Sequence, residues 1–116
     1  MEMIKPLRGE VYQVRLEPAE GNETKKYRPA VVISSDAINK ASDVVIICPI
    51  TNPIGKGSPI HILIAKGEGG LTKDGIAHCG QIRAIDKTRL GAELGTLHEE
   101  TMRKIDMGLR NALHLR

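Results

Sequence analysis

The longest apolar stretch of the chain runs from Val44 to Ile50 and contains no charged side chain. A strand that is apolar on both faces belongs in the centre of a sheet or at a subunit interface. The stretch is far shorter than the roughly 20 residues that a membrane-spanning helix needs. The N-terminus, Met1 to Pro6, has no apolar signal segment. We therefore expect a soluble, cytoplasmic protein without a membrane partner.

The composition restricts both the core and the possible ligands. The 116 residues include no Phe, no Trp and two Tyr, so the core must be aliphatic. This argues against the RNA-binding sheets that stack bases on a platform of aromatic side chains. Lys and Arg number 17 against 14 acidic residues, and the net charge of +3 permits a polyanionic partner without requiring one. The length predicts a single domain, residues 1–116.

Alternating and apolar runs predict strands, and one helical period predicts a helix near the C-terminus. Strands are expected at 9–15, 28–34, 43–51, 60–65 and 75–86, a helical turn at 36–41 capped by Ser34, Ser35 or Asp36, and a short helix at 87–94. Thr96-x-x-Glu99 has the pattern of a capping box. It would open an amphipathic helix, roughly Leu97 to Leu113, whose apolar face holds Met102, Ile105, Leu109, Ala112 and Leu113. The fold class is mostly β with α: a small, curled antiparallel sheet or barrel with this helix closing one side.

The histidines and cysteines show no metal-binding spacing, so we expect no metal and no cofactor. His61 alternates with Ile60, Ile62 and Ile64 and is predicted to face outward. His78 shares a face with Ile76 and Ile82 and is predicted to lie inside, so the two rings are not expected to meet. Cys48 and Cys79 are predicted to be buried thiols rather than a disulfide.

Three cations precede the second predicted strand: Lys25, Lys26 and Arg28, with Arg28 held beside Pro29. A guanidinium is planar, always charged and suited to binding two phosphate oxygens. Thr51 ends the neighbouring strand, where its hydroxyl could donate to a third oxygen. The residues alone leave two interpretations open, a phosphate-handling site or a solvated basic loop.

Four motifs in order resemble the MazF/PemK-type toxin family. Arg8-Gly9-Glu10-Val11-Tyr12 resembles its first strand, and Arg28-Pro29-Ala-Val-Val-Ile33, preceded by Pro18-x-x-Gly21-x-Glu23, resembles its signature. Pro49-Ile50-Thr51 and Gln81-Ile82-Arg83-Ala-Ile-Asp86-Lys-x-Arg89-Leu90 complete the set. The resemblance covers the chain from Arg8 to the C-terminal helix.

The resemblance implies a small SH3-like, CcdB/MazF-like barrel that acts as a homodimer. It also implies a sequence-specific, metal-independent endoribonuclease that cuts single-stranded RNA to 2′,3′-cyclic phosphate and 5′-hydroxyl ends. A cognate antitoxin would block the groove with its tail. By the same resemblance the catalytic pair is Arg28 and Thr51. The substrate-binding candidates, from the family motifs and the neighbouring loops, are Glu23, Thr24, Lys25, Lys26, Tyr27, Asn52, Lys56, Gln81 and Arg83.

Two other functions stay open at this point. The same architecture serves gyrase-poisoning toxins, which are expected to use a C-terminal aromatic residue. This chain ends Leu113-His-Leu-Arg116 without a Trp, which counts against that function. The third possibility is a basic barrel that binds RNA without cutting it. Such a protein would not need Arg28 and Thr51 together.

Overall fold

The computed structural model describes residues 5–16, 26–53 and 57–116. The strands are β1 (Glu10–Arg15), β2 (Tyr27–Val32), β3 (Val44–Thr51), β4 (His61–Ile64), β5 (Gly75–His78), β6 (Arg83–Asp86) and β7 (Leu90–Thr96), and the helices are α1 (Asp36–Ala41) and α2 (Glu99–Leu113). The pairing is antiparallel in the order β4-β5-β3-β2-β1-β7, and β6 also pairs with β3. The mostly β fold with a C-terminal helix is confirmed. The ladder formed by the described strands does not close on itself.

β3 is the central strand of the sheet. One edge pairs with β2, where Ala30 lies opposite Pro49. The other edge is shared, because β6 pairs with the first half of β3 and β5 with its last two residues. Val45, Ile47 and Cys48 are fully buried. The sequence predicted that this apolar strand lies in the centre of a sheet or at a subunit interface. Within one protomer it lies in the centre of the sheet.

The sheet is apolar on both faces, and each face carries a core. The helix-side core lies between the sheet and α2 and contains Val11, Val31, Ile33, Cys48, Ile50, Ile64, Leu71, Ala77, Cys79, Leu97, Met102 and Ile105. The opposite core contains Tyr12, Val14, Ala30, Val32, Val45, Ile47, Ile85 and Leu90. Apart from one tyrosine both cores are aliphatic, as predicted.

The two cysteines are free thiols in the helix-side core. A hydrogen bond with Cys79 and burial together raise the pKa of Cys48 far above its ordinary value. The prediction that both cysteines are buried is confirmed.

The single strand predicted at 75–86 is wrong. Cys79–Gln81 forms one turn of 3-10 helix between β5 and β6, and the Gly80 N–H donates to Nδ1 of His78 at 3.2 Å. The turn lets two successive strands share one edge of β3. As a result, Ala77 is buried in the helix-side core whereas Arg83 is exposed.

The helix predicted at 87–94 is also wrong. The chain makes a short turn at Lys87–Arg89 and continues as β7, which pairs with β1. The Thr88 N–H donates to the Asp86 carboxylate at 2.8 Å, and this bond holds the pKa of Asp86 below its ordinary value. The pairing with β1 overrides the local helical propensity.

The C-terminal helix is confirmed, but the capping box is wrong. Thr96 is the last residue of β7, and α2 begins at Glu99 with His98 as its N-cap. The His98 backbone N–H donates instead to Oε2 of Glu68 at 3.0 Å. The buried face is formed by Thr101, Met102, Ile105 and Gly108, whereas the predicted Ala112 and Leu113 are exposed. At α1 the cap is Ser35, one of the three predicted residues, whose Oγ accepts from the Ile38 N–H at 3.3 Å.

Neither helix of the described ranges is long and apolar enough to cross a membrane.

Candidate functional site: a basic groove at the strand ends

An open groove of about 440 Å³ lies where β2 begins and β3 ends. Its walls come from β1, from the loop between β4 and β5, and from β7. It is lined by Gln13, Lys26, Tyr27, Arg28, Pro29, Ile50, Thr51, Asn52, the loop 70–75 and Leu94. Adjacent strands of one sheet therefore supply most of the floor, which fixes the spacing of the side chains they carry.

Arg28 and Thr51 are brought together by the register of β2 and β3. Ala30 lies opposite Pro49. Continuing this antiparallel register by two residues along each strand places Arg28 beside Thr51. Residues opposite each other project to the same face of a sheet. The two predicted catalytic residues thus lie on one face, two residues beyond the last paired residues of β2 and β3, and both line the groove, although 22 residues separate Arg28 from Thr51 along the chain.

Both side chains are available to a ligand. Arg28 is exposed, and no described carboxylate lies within salt-bridge distance of it. The Thr51 hydroxyl makes one long contact, 3.4 Å, with the carbonyl oxygen of Asn52. A bond of this length is weak, so the hydroxyl can turn to donate to a phosphate oxygen.

The groove is electropositive. Among the residues that the structure describes, three cations line it, Lys26, Arg28 and Lys73, against one acid, Asp74. The Asp74 carboxylate accepts a hydrogen bond from the Lys66 N–H at 2.8 Å, so it is already engaged in the loop. A surface of this kind attracts a phosphodiester backbone.

On the side of β1, the groove is formed by the ring of Tyr27 and the side-chain amide of Gln13. The Tyr27 ring lies against Gly91, where a Cβ would meet its Cε1 at 3.1 Å, and half of this residue is exposed. Gln13 lies on the same face of the β1–β2 ladder. Its Oε1 is buried and has no hydrogen-bond partner in the part of the chain that the structure describes.

The structure collects five of the predicted site residues in this groove: Lys26, Tyr27, Arg28, Thr51 and Asn52. Four further candidates, Glu23, Thr24, Lys25 and Lys56, lie outside the described residues. Gln81 and Arg83 are exposed but do not line the groove. Arg83 pairs with Ile47, nearer the other end of β3.

Sequence reasoning missed Gln13 and the loop 70–75, which supplies Thr72, Lys73 and Asp74. One signal for Gln13 was present. It is a polar residue two positions after Val11, on the face of β1 that Val11 buries in the helix-side core. The loop gave no comparable signal, because its sequence does not indicate which strand ends it approaches.

The prediction that His61 and His78 stay apart is wrong. They lie opposite each other on β4 and β5, with their Nε2 atoms 3.1 Å apart. His78 Nδ1 accepts the Gly80 N–H, so its own proton must lie on Nε2 and be donated to His61. The His61 proton then lies on Nδ1, a buried atom without a partner among the described residues.

This hydrogen bond between the two rings joins β4 to β5. Neither ring lines the groove. Over the same residue ranges, no three His, Cys, Asp or Glu side chains group as a metal site would require.

Fold and site together define a small, curled antiparallel sheet, backed by one helix, that presents a guanidinium beside a hydroxyl in a basic groove. Residues 7–113 match the family described as "PemK-like, MazF-like toxin of type II toxin-antitoxin system". The chain is also 40% identical over 109 residues to the endoribonuclease MazF of Staphylococcus epidermidis, which covers 93% of this chain and 91% of that protein. The chain belongs to the PemK-like, MazF-like toxin family.

Solved structures agree with the sequence match. An endoribonuclease in complex with its cognate antitoxin, from a mycobacterial species, superposes with a TM-score of 0.76 at 28% identity, covering 98% of each chain. A mycobacterial endoribonuclease gives 0.78 at 27% identity, covering 97% of this chain and 95% of that one. A MazE–MazF structure from Deinococcus radiodurans gives 0.80 at 23% identity, covering 97% and 99%, and supports the fold alone.

Proposed function

We propose that this protein is a toxin endoribonuclease that cuts single-stranded messenger RNA in the basic groove. The observation that carries the proposal is that Arg28 and Thr51, on the neighbouring strands β2 and β3, line the same groove. Both side chains donate hydrogen bonds to oxygen, and neither is occupied by a strong described partner. Family membership and the 40% identical endoribonuclease support the same activity.

The proposed reaction uses a nucleophile that the RNA itself supplies. The 2′-oxygen forms a bond to the adjacent phosphorus while the bond from phosphorus to the 5′-oxygen breaks. The products are a 2′,3′-cyclic phosphate and a 5′-hydroxyl. The protein must orient the phosphate and stabilise the negative charge that develops on its oxygens. Arg28 holds that charge with its forked guanidinium, and Thr51 adds a second donor.

Two protons move in this reaction, one from the 2′-hydroxyl and one to the 5′-oxygen. The guanidinium of Arg28 is a poor base because it stays protonated. We propose Glu23 as the general base, with proton transfer assisted by Arg28 as the alternative. The proposal requires neither a metal nor a cofactor, because the attacking oxygen belongs to the substrate.

Recognition is assigned to the loops around the pair. Lys26, Tyr27 and Asn52 line the groove, and we propose that Glu23, Thr24, Lys25 and Lys56 join them on the RNA. Gln81 and Arg83 lie outside the groove, so we propose that they contact RNA that extends beyond it.

The partners follow from the family. The solved mycobacterial endoribonuclease is bound to its cognate antitoxin. We propose that this chain likewise binds a cognate antitoxin, whose tail covers the groove, and that it acts as a homodimer. The two free thiols suit a reducing cytoplasm, where the substrate RNA is found.

The test is to incubate the purified protein with a long single-stranded RNA in EDTA, beside the variant Arg28→Ala. Product ends are identified by mass spectrometry. Arg28 is exposed near the start of β2, so its truncation should leave the fold intact. We expect cyclic phosphate ends from the wild type and a rate at least about 10²–10³-fold lower from the variant.

Three results would contradict parts of the proposal. Normal cleavage by folded Arg28→Ala would remove Arg28 from catalysis. Cleavage that EDTA abolishes and divalent ions restore would refute the metal-free reaction. Intact RNA with folded wild type would favour a non-cleaving RNA-binding protein or a gyrase-poisoning toxin, which a gyrase inhibition assay then separates.

A further inference from the structure

The amide of Gln13 is the polar group of the groove that the cleavage reaction does not use. Its Oε1 is buried and lacks a hydrogen-bond partner within the described ranges, and Gln13 is one of the residues that line the groove. A buried acceptor without a partner is unfavourable and is rare in native proteins. An unpaired acceptor in a ligand groove therefore indicates that the ligand supplies the missing donor.

The neighbour of this amide is an aromatic ring with one open side. Gln13 lies opposite Pro29, and Tyr27 lies opposite Arg15, so Gln13 and Tyr27 are diagonal neighbours on one face of the ladder. Gly91 lies against the Tyr27 ring, and a Cβ at this position would lie 3.1 Å from the ring. Half of Tyr27 remains exposed towards solvent.

A ring for stacking beside an amide for hydrogen bonding is a combination that suits a nucleobase. Unpaired RNA bases are bound by stacking on aromatic side chains and by hydrogen bonds to their edges. A phosphate would instead favour the cations of the groove, Lys26, Arg28 and Lys73. The neutral amide is thus matched to a base rather than to the backbone.

We propose that Gln13 and Tyr27 form a nucleobase pocket in which Tyr27 stacks on the base and Gln13 reads its Watson–Crick edge. Gln13 is then a specificity-determining residue. Gln13 and Arg28 project from opposite faces of the β1–β2 ladder, but both line the same groove of about 440 Å³. The base that Gln13 reads therefore belongs to a nucleotide close to the scissile phosphate. This inference rests on the proposed RNA cleavage at the same groove.

The amide gives the pocket a chemical signature that substitution can change. Glutamine offers one acceptor and one donor, whereas glutamate offers only acceptors. Among the RNA bases, guanine alone presents two adjacent donors, N1–H and N2–H, on its Watson–Crick edge. Gln13→Glu should therefore favour guanine at the position read, and Gln13→Leu, of similar size, should lose the preference there by roughly tenfold to a hundredfold.

The experiment compares cut sites in an RNA library with randomised sequence for the wild type, Gln13→Leu and Gln13→Glu, read by sequencing. The control is Asn111→Leu, which removes an amide that donates to the Pro59 carbonyl outside the groove. We expect the control to keep every preference of the wild type. We expect both Gln13 variants to change the preference at one position next to the cut, with guanine favoured by Gln13→Glu.

A second measurement uses the wild type alone, in case a Gln13 variant does not fold. Each base flanking the cut is replaced in turn by an analogue that lacks the hydrogen-bonding groups of its Watson–Crick edge. Loss of roughly tenfold to a hundredfold in rate at one adjoining position supports the pocket. Unchanged rates at both adjoining positions overturn it.

The outcomes separate the two proposals. Cleavage by the wild type with identical preferences in the Gln13 variants overturns the reading role and leaves the endoribonuclease standing. Failure of the wild type to cleave any RNA overturns the proposed function and this pocket with it.

Discussion

At the scale of single residues, Thr51 offers the groove one hydroxyl and one methyl group. Only the hydroxyl can donate to the phosphate oxygens, and its described contact is the weak one with Asn52. Thr51→Val keeps the shape and the β-branched character that suits β3, so it should fold. We expect cleavage to slow by about 10²–10³-fold, measured under single-turnover conditions.

The matched variant is Thr51→Ser, which retains the hydroxyl and loses the methyl group. It should keep most of the activity. Should Thr51→Val cleave as fast as Thr51→Ser, the hydroxyl has no part in catalysis.

A second residue-scale prediction concerns two glutamates on neighbouring strands. A hydrogen bond with Glu10, followed by repulsion from its charge, raises the pKa of Glu93 above its ordinary value. The folded state then holds this proton more tightly than the unfolded state. The free energy of unfolding must therefore fall as the pH rises from the ordinary glutamate value, about 4.5, through the raised one.

Glu93→Gln removes the titrating group and can still donate to Glu10. We expect the variant to melt at a higher temperature than the wild type at neutral pH and to show a smaller decrease in stability between acid and neutral pH. Thermal melts across that range measure both quantities. Identical pH dependence in the two proteins would mean that the glutamates do not interact.

At the scale of elements, the loop between β4 and β5 is fixed against β7 at Gly70. Its φ is +75°, and a Cβ there would lie 2.0 Å from the Leu94 carbonyl oxygen. Gly67 in the same loop has a φ of +96° but open space around it. Comparing alanine at the two positions separates backbone strain from the steric overlap.

We expect Gly67→Ala to lower the unfolding free energy by about 1–2 kcal/mol from strain alone. Gly70→Ala should lower it by clearly more than that, and it should slow cleavage because the loop that carries Lys73 must move. Urea denaturation and a cleavage assay measure the two effects. If both variants lose the same unfolding free energy, the structure relieves the steric overlap with Leu94 at little cost in free energy.

The sequence predicted well those elements whose hydrophobic periodicity can be read from their own residues alone. β1 to β4, α1 and α2 appear within about two residues of their predicted ends. The region from 75 to 96 was misjudged for two reasons. First, β5 and β6 both pair with the same edge of β3, and the turn at Cys79–Gln81 separates them. Second, Leu90–Thr96 contains several good helix formers, but it pairs with β1 as a strand.

The candidate site was predictable to the extent that it lies on strand ends with recognisable motifs. Arg28 and Thr51 belong to this part. Gln13 and the loop 70–75 enter the groove through the packing of several strands, which alternation along one strand does not encode. The histidine pair was misjudged for a related reason, because the partner of His61 is set by the β4–β5 register.

At the scale of the whole molecule, one protomer already buries most of β3, although Val44 at its start is 40% exposed. Exposed apolar side chains remain elsewhere, and Leu63 on the edge strand β4 is 63% exposed. We expect light scattering at micromolar concentration to give twice the mass of the chain. A monomer under those conditions would contradict the proposed homodimer.

The scarcity of aromatic residues gives the molecule a built-in optical probe. The chain has no tryptophan, and its two tyrosines lie in different surroundings, Tyr12 in the opposite core and Tyr27 in the groove. Burial, followed by the charge of Glu10, raises the pKa of the Tyr12 phenol far above its ordinary value. In a Tyr12→Phe protein, ultraviolet emission would come from Tyr27 alone, so quenching would report occupancy of the groove by RNA or antitoxin without any attached dye.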